Sequence, residues 1–185
     1  MVKTSDYSRL VAEEIATVLA CTNDEQIERL LDMIMQADRV FTTGAGRSGF
    51  MMSAFAMRLM HVGISSFVVG ETTTPAVGAG DLLIAGSGSG RTKMILAIVE
   101  AARTRGARTA GITGHPDSPI AAACDHVVHI QAPVVWVHAD RPSAQPPGTL
   151  FEQCLLAQCD AMILMLMKRL GTTEEHMRRR HTKFE

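Results

Sequence analysis

Apolar residues follow two different periods along this chain, and the period changes several times. Residues 5–20 place Leu10, Ile15 and Leu19 at helical spacing, and a second helical pattern follows Thr22 and Glu25, which fit a capping box. Short, nearly all-apolar runs then alternate with helical segments. The pattern predicts strands at 40–43, 64–69, 82–85, 109–113 and 127–130, and later helices at 50–61, 94–104, 118–123, 149–170 and 173–180.

Strands that alternate with helices predict a parallel sheet that is covered on both faces. We therefore predict an α/β fold: a single doubly wound domain with a five-stranded parallel sheet flanked by helices, and extra helices at both termini. The predicted domain spans 1–185. It has N-terminal helices in 1–37, the α/β core in 38–131, a proline-rich loop in 132–148 and C-terminal helices in 149–185.

The composition excludes several classes of protein. Hydrophobic residues make up 46% of the chain and charged residues 20%, which is ordinary for a globular protein and excludes a disordered one. A net charge of -1 and 4% aromatic residues argue against nucleic-acid binding. No uncharged apolar run approaches the ~18–20 residues that span a bilayer, and residues 1–10 lack a signal core. We expect a cytoplasmic protein that binds no membrane.

The cysteines and histidines do not predict a metal site. None of the cysteines forms a CxxC pair, so we expect buried, reduced thiols. His126 and His129 are spaced so that they point to opposite faces of a strand. The cysteines are Cys21, Cys124, Cys154 and Cys159.

The last long helix is apolar all round between Ala161 and Met167. A helix of this kind is buried on every side. In a domain of this size, we expect a subunit interface to provide part of that burial.

Two glycine-rich turns follow predicted strands, where ligands bind in parallel sheets. The first, 44–49, offers Gly46, Arg47 and Ser48 at a helix start. The second, 87–92, offers glycines and hydroxyls. Together they predict a pocket for one phosphate monoester. The residues of the second turn that we assign to phosphate binding are Ser87, Gly88, Ser89, Gly90 and Thr92.

Each turn also has another interpretation. Ser89 or Thr92 could simply cap the following helix. Gly44, Gly46 and Gly49 match a dinucleotide fingerprint, with Glu71 roughly 20 residues further on. That alternative predicts a nicotinamide-dependent enzyme, but it assigns no role to the second turn.

The pair of turns resembles the sugar isomerase (SIS) domain family, and the wider pattern is similar to the 6-phospho-3-hexuloisomerases. The resemblance covers nearly the whole chain; it departs in 131–147. It is carried by the segments 56–61, 70–75, 87–92 and 148–153 and by Arg180, His181, Phe184 and Glu185.

The resemblance implies the isomerisation of D-arabino-3-hexulose 6-phosphate to D-fructose 6-phosphate through a cis-enediol. This reaction belongs to formaldehyde fixation by the ribulose monophosphate pathway. The resemblance also implies a homotetramer with active sites near subunit interfaces, no cofactor and no metal, and functional coupling to 3-hexulose-6-phosphate synthase. A phosphosugar-sensing module without catalysis, or an isomerase of another phosphosugar, is the alternative.

Three residues are the candidates for proton transfer in such a reaction. Glu152 is the candidate carbon base, although with Thr149 it also fits a capping box at a helix start. His61 and His181 are the candidates for moving protons between the two oxygens. His61 ends the helix that begins at the first turn, so we expect it to serve a neighbouring subunit. The alternatives are a helix-dipole partner for His61 and a solvated charge cluster for His181.

Overall fold

Five parallel strands form one sheet, which confirms the predicted fold class. The computed structural model describes residues 3–133 and 143–183. The register is continuous: Val40 pairs with Ser66 on one side and with Leu82 on the other. The strands are β1 (Val40–Gly44), β2 (Ser66–Val68), β3 (Leu82–Ser87), β4 (Arg108–Thr113) and β5 (His126–His129). Their order in the sheet is β2-β1-β3-β4-β5.

Helices cover both faces of the sheet, and successive strand residues point to opposite faces. Val40 therefore belongs to the core cluster that also holds Phe55 and Phe151, whereas Phe41 belongs to the second cluster with Ile95. The helices are α1 (Thr4–Leu19), α2 (Asp24–Gln36), α3 (Gly46–Val62), α4 (Lys93–Thr104), α5 (Pro119–Ala123), α6 (Thr149–Leu170) and α7 (Glu174–Arg180).

Both predicted capping boxes are wrong. Asn23, not Thr22, caps α2, and the Thr22 hydroxyl instead donates to the side-chain oxygen of Gln158 at 3.0 Å. At α6 the cap position belongs to Gly148, which adopts a left-handed conformation with φ of 85°. Thr149 is consequently inside the helix, where its side chain does not cap it.

Helix α6 is long and apolar enough to cross a membrane by length and composition alone. It packs against α3 and α1, with Phe151 and Met162 in the core, as is typical of a core helix. Leu164 on this helix is 68% exposed within one chain. The expectation that a subunit interface covers part of α6 therefore stays a prediction.

Part of the sequence pattern lies outside the described residues. Residues 134–142 of the predicted loop belong to this part, as do Phe184 and Glu185 of the C-terminal motif. Cys124, Cys154 and Cys159 are free thiols, as predicted. The expected burial holds for Cys154 and Cys159, whereas Cys21 and Cys124 are partly accessible.

Candidate active site

A cavity of about 230 Å³ opens at the carboxyl ends of β1 and β3. The helices after these two strands lie on opposite faces of the sheet, because α3 packs into one core cluster and α4 into the other. This is the switch point where doubly wound folds bind ligands. The residues that line the cavity are Ala45, Ser48, Gly86, Ser87, Gly88, Ser89, Thr92, Gly148, Phe151 and Glu152.

Glycines let β1 and α3 approach each other closely at the edge of the cavity. A Cβ added to Gly49 would lie 2.8 Å from the Gly44 carbonyl oxygen, and one added to Gly44 would lie 3.1 Å from the Gly86 carbonyl oxygen. Gly46 has a φ of 58°, which disfavours other residues. Packing and conformation thus account for the three glycines of the fingerprint without a dinucleotide.

The first turn is shorter than the sequence predicts. Only Ala45 separates β1 from α3, so Arg47 and Ser48 lie in the first turn of the helix. The backbone N–H groups of a first helical turn have no partner within the helix. Ser48 is buried and lines the cavity, so these N–H groups and a hydroxyl meet at one wall. The arrangement suits an anion.

The second turn brings three hydroxyls to the same cavity. Ser87 ends β3, and its hydroxyl lies 3.4 Å from that of Thr92. Thr92 occupies the cap position of α4, but its side chain makes no capping bond. Ser89 also lines the cavity, and its hydroxyl accepts from the Arg91 N–H at 3.3 Å. The alternative that Ser89 or Thr92 caps α4 is therefore wrong for both hydroxyls.

Gly90 shapes the second turn from outside the cavity. Its N–H donates to the Ser87 carbonyl and to the Ser87 hydroxyl, both at 3.2 Å. Its φ is 60°, and a Cβ there would lie 1.9 Å from the Ser118 hydroxyl. Gly88 is held from the other side, because its carbonyl accepts from the Gly114 N–H at 3.1 Å. The turn is thus fixed before any ligand binds.

Glu152 reaches the same cavity from the first turn of α6. Its carboxylate accepts a hydrogen bond from the Nε of Arg47, which lies in α3. The Glu152 side chain is 17% exposed and that of Arg47 is 58% exposed, so the ion pair sits at the cavity mouth with the carboxylate inside. From the sequence, Arg47 was assigned to phosphate binding, and its ion pair with Glu152 was not predicted.

His61 and His181 lie together at the far end of α3. Their rings stack with centroids 5.2 Å apart. His61 is buried, and a guanidinium nitrogen of Arg58 lies 3.5 Å from its Nδ1. Burial, followed by the charges of Arg58 and His181, lowers the pKa of His61, so the neutral imidazole is favoured. Arg180 also approaches here, with Nη2 3.1 Å from where a Cβ on Gly63 would lie.

The structure divides the predicted site residues into three groups. Six of them line the cavity, whereas Gly46, Arg47 and Gly90 only adjoin it. His61 and His181 belong elsewhere, since α3 extends roughly 20 Å from Arg47 to His61 at 1.5 Å per residue. The six residues are Ser48, Ser87, Gly88, Ser89, Thr92 and Glu152.

Sequence reasoning assigned no role to four residues of the cavity wall. They provide backbone and apolar surface rather than reactive groups, so no chemical motif marks them. Two signals were available: Gly148 and Phe151 lie in the segment 148–153 that carries the family resemblance, and Gly148 directly precedes a helix. The four residues are Ala45, Gly86, Gly148 and Phe151.

No group of three or more His, Cys, Asp or Glu side chains within 3–133 and 143–183 could hold a metal ion. His126 and His129 have separate partners: the His126 Nε2 lies 2.7 Å from the Gln26 carbonyl oxygen, and the His129 Nε2 lies 3.3 Å from that of Gly114. These contacts are consistent with the predicted opposite faces.

Comparisons with known proteins agree with this geometry. The SIS domain family matches residues 33–135. The chain is 43% identical over 176 residues to the 3-hexulose-6-phosphate isomerase of Mycobacterium gastri, covering 95% of this chain and 88% of that relative. It is 38% identical over 184 residues to the 3-hexulose-6-phosphate isomerase of Bacillus subtilis (strain 168), covering 99% and 100%.

A solved structure of a hypothetical protein from Methanococcus jannaschii is also similar. Its TM-score is 0.84 at 34% sequence identity, covering 97% of this chain and 99% of that chain, and its inferred function is 3-hexulose-6-phosphate isomerase. These matches favour the phosphosugar interpretation of the glycine-rich turns over the dinucleotide one. The chain belongs to the SIS domain family and, within it, groups with the 3-hexulose-6-phosphate isomerases.

Proposed function

We propose that this protein is a 3-hexulose-6-phosphate isomerase, which converts D-arabino-3-hexulose 6-phosphate to D-fructose 6-phosphate. One observation carries the proposal: a carboxylate, Glu152, shares a preformed cavity with a hydroxyl-rich turn at the start of α4. The turn suits a phosphate group, and the carboxylate suits removal of a proton from carbon. The relatives named above act on this substrate by name.

In the proposed mechanism, Glu152 takes the proton from C2 of the hexulose and leaves a cis-enediol. The same carboxyl group then returns a proton to C3. The oxygen at C3 gains a proton as the hydroxyl at C2 loses one, so the carbonyl moves from C3 to C2. The reaction is redox-neutral within the substrate and needs no cofactor.

The phosphate group, in this proposal, lies between the two turns. Ser48, Ser87, Ser89 and Thr92 donate hydroxyl hydrogen bonds, and backbone N–H groups at Gly46 and Gly88 add to them. Gly90 supports the turn without binding the ligand itself. Such bonds to a charged group contribute about 1.5–3 kcal/mol each.

Arg47 has two roles in the proposal. Its Nε holds the Glu152 carboxylate, while the remaining guanidinium donors face solvent at the cavity mouth and are free to reach a phosphate or enediolate oxygen. A guanidinium in this position offsets the negative charge that develops during proton removal.

Proton transfer between the oxygens is the role we propose for His61 and His181. A neutral His61 can both accept and donate a proton, and the lowered pKa of His61 favours that form at neutral pH. Because the pair lies at the other end of α3, we infer that it completes the site of a neighbouring copy. His181, in the C-terminal tail of the same chain, stacks on His61. In this proposal the stacking contact must open when the subunits assemble.

We infer a homotetramer with active sites near subunit contacts. Large apolar side chains are exposed on neighbouring helices: Phe50 at 70% and Met57 at 43% on α3, and Leu164 at 68% on α6. Large exposed apolar side chains on two packed helices favour an interface. The helices at both ends pack on the sheet-bearing core, so we treat 1–185 as one SIS unit.

The proposed setting is the cytoplasm, in formaldehyde fixation by the ribulose monophosphate pathway, beside the 3-hexulose-6-phosphate synthase that makes the substrate. A coupled assay tests the activity: ribulose 5-phosphate, formaldehyde and synthase are supplied, and fructose 6-phosphate is followed. Product that forms only with this protein supports the proposal. Absence of product from a folded, phosphosugar-binding protein would contradict it and favour a sensor.

A further inference from the structure

A single carboxylate on α1 holds the segment that leads into α6. Glu14 Oε2 accepts from the Ser143 hydroxyl at 2.7 Å and from the Gln145 side-chain amide at 2.9 Å, and Oε1 accepts from the Ala144 N–H at 2.8 Å. The Ser143 hydroxyl also accepts from the Gln145 N–H at 3.0 Å. Both carboxylate oxygens are therefore engaged by consecutive residues far away in sequence.

The charge state of Glu14 matches this arrangement. The hydrogen bond from the Ala144 N–H, followed by that from Gln145, lowers the pKa of Glu14 against a smaller opposing effect of burial. The ionised carboxylate accepts all three bonds, whereas a protonated carboxyl group would lose an acceptor position. The contact is thus intact at neutral pH.

The chain between this contact and the cavity is short and stiff. Pro146 and Pro147 follow Gln145, and each proline ring fixes its own φ. The Pro146 carbonyl accepts from the Thr149 N–H at 3.1 Å. Gly148 lies between Pro146 and Thr149 in the chain and lines the cavity. A shift at Gln145 is therefore transmitted to Gly148 and to the first turn of α6, because few torsions can absorb it.

We propose that Glu14 is a positioning residue for the active site: its carboxylate holds residues 143–145, and through them it sets Gly148 and the first turn of α6, which carries Glu152. This inference rests on the proposed function, because positioning is defined by the reaction. Glu14 itself lies on α1 and does not line the cavity.

Amide hydrogen exchange at pH 7 tests the structural half. In Glu14→Ala, exchange at Ala144 and Thr149 is expected to accelerate by about tenfold or more. Glu13→Ala is the matched control, because Glu13 is an exposed neighbour on the same helix. Glu14→Gln keeps one acceptor oxygen and should fall between wild type and Glu14→Ala.

Kinetics test the functional half. We expect kcat of Glu14→Ala to fall by about tenfold, because small displacements of a base reduce the fraction of productive geometries. The Kd for inorganic phosphate should stay within about twofold of wild type, since the hydroxyls belong to other elements. Glu14→Gln should recover most of kcat, and Glu13→Ala should match wild type.

Three results would overturn the inference. Faster exchange with unchanged kcat would make the contact purely structural. Equal losses in kcat and in phosphate affinity would indicate general loosening of the fold. A wild type without isomerase activity would contradict the proposed function. Amide exchange across residues 148–152 that is unchanged in Glu14→Ala would contradict the positioning role, whether or not the wild type is active.

Discussion

The two ends of α3 differ in how complete their chemistry is within one chain. At its start, Ser48 shares a preformed cavity with Glu152 and the hydroxyls of the second turn. At its end, His61 stacks on His181 away from any of these groups. One chain thus brings a carboxylate and several hydroxyls to one cavity. In the proposed mechanism, by contrast, the two histidines act in the site of a neighbouring copy.

The same contrast shows what sequence can predict. The alternation of apolar runs and helical segments predicted all five strands and their parallel arrangement, because both signals are local. The rule that ligands bind beyond the carboxyl ends of parallel strands then placed Ser48 and Ser87 at one cavity, whereas Glu152 was chosen through the family resemblance. These predictions needed no knowledge of side-chain contacts.

Contacts between distant residues could not be predicted in this way. Arg47 and Glu152 meet because α3 and α6 pack side by side, and nothing local records that neighbourhood. The stacking of His61 on His181 depends on the path of the tail. Thr22 and Thr149 fit capping boxes, but Asn23 and a left-handed Gly148 occupy those positions instead.

Glu152→Gln should have the largest effect on activity, and it tests the cavity at the start of α3. The amide cannot accept the carbon proton, so we expect kcat to fall by about 10³-fold, within the range for loss of a general base. Inorganic phosphate should still bind with nearly the wild-type Kd, as measured by calorimetry. A variant that keeps more than a tenth of wild-type kcat would exclude Glu152 as the base.

His61→Asn should lower kcat by about 10²-fold. Hybrids of two variant chains then test whether the histidine acts in a neighbouring subunit's site. If sites are shared, co-assembly of inactive His61→Asn and Glu152→Gln chains creates some sites with both wild-type residues. We expect activity to reappear in hybrids that are refolded together. Hybrids as inactive as the separate variants would mean that each chain uses its own histidine or none.

Ser89→Ala should weaken phosphate binding without stopping turnover. Loss of one hydroxyl that binds a charged group predicts a rise in KM of about 10-fold to 100-fold with a smaller change in kcat. Ser65→Ala, at an exposed position beside the other end of the sheet, is the control and should leave both constants unchanged. A fall in kcat alone would move Ser89 from phosphate binding to the reacting carbons.

The smallest expected effect is on stability as a function of pH. The folded protein binds a proton at His61 less readily than the unfolded chain, because its pKa is lowered. Stability should therefore decline as pH falls below the ordinary histidine value of about 6.5, and not above it. We expect wild type to lose on the order of 1–3 °C more in Tm than His61→Asn between pH 7 and pH 5.5. Equal losses would contradict a buried neutral imidazole.

The central claim is that Glu152 exchanges a proton with carbon in a 2,3-enediol, and deuterium incorporation tests it most directly. Fructose 6-phosphate is incubated with the protein in deuterium oxide and followed by NMR. The account predicts deuterium at C3, with none in the Glu152→Gln control. Deuterium at C1 instead, or equal C3 exchange by Glu152→Gln, would contradict it.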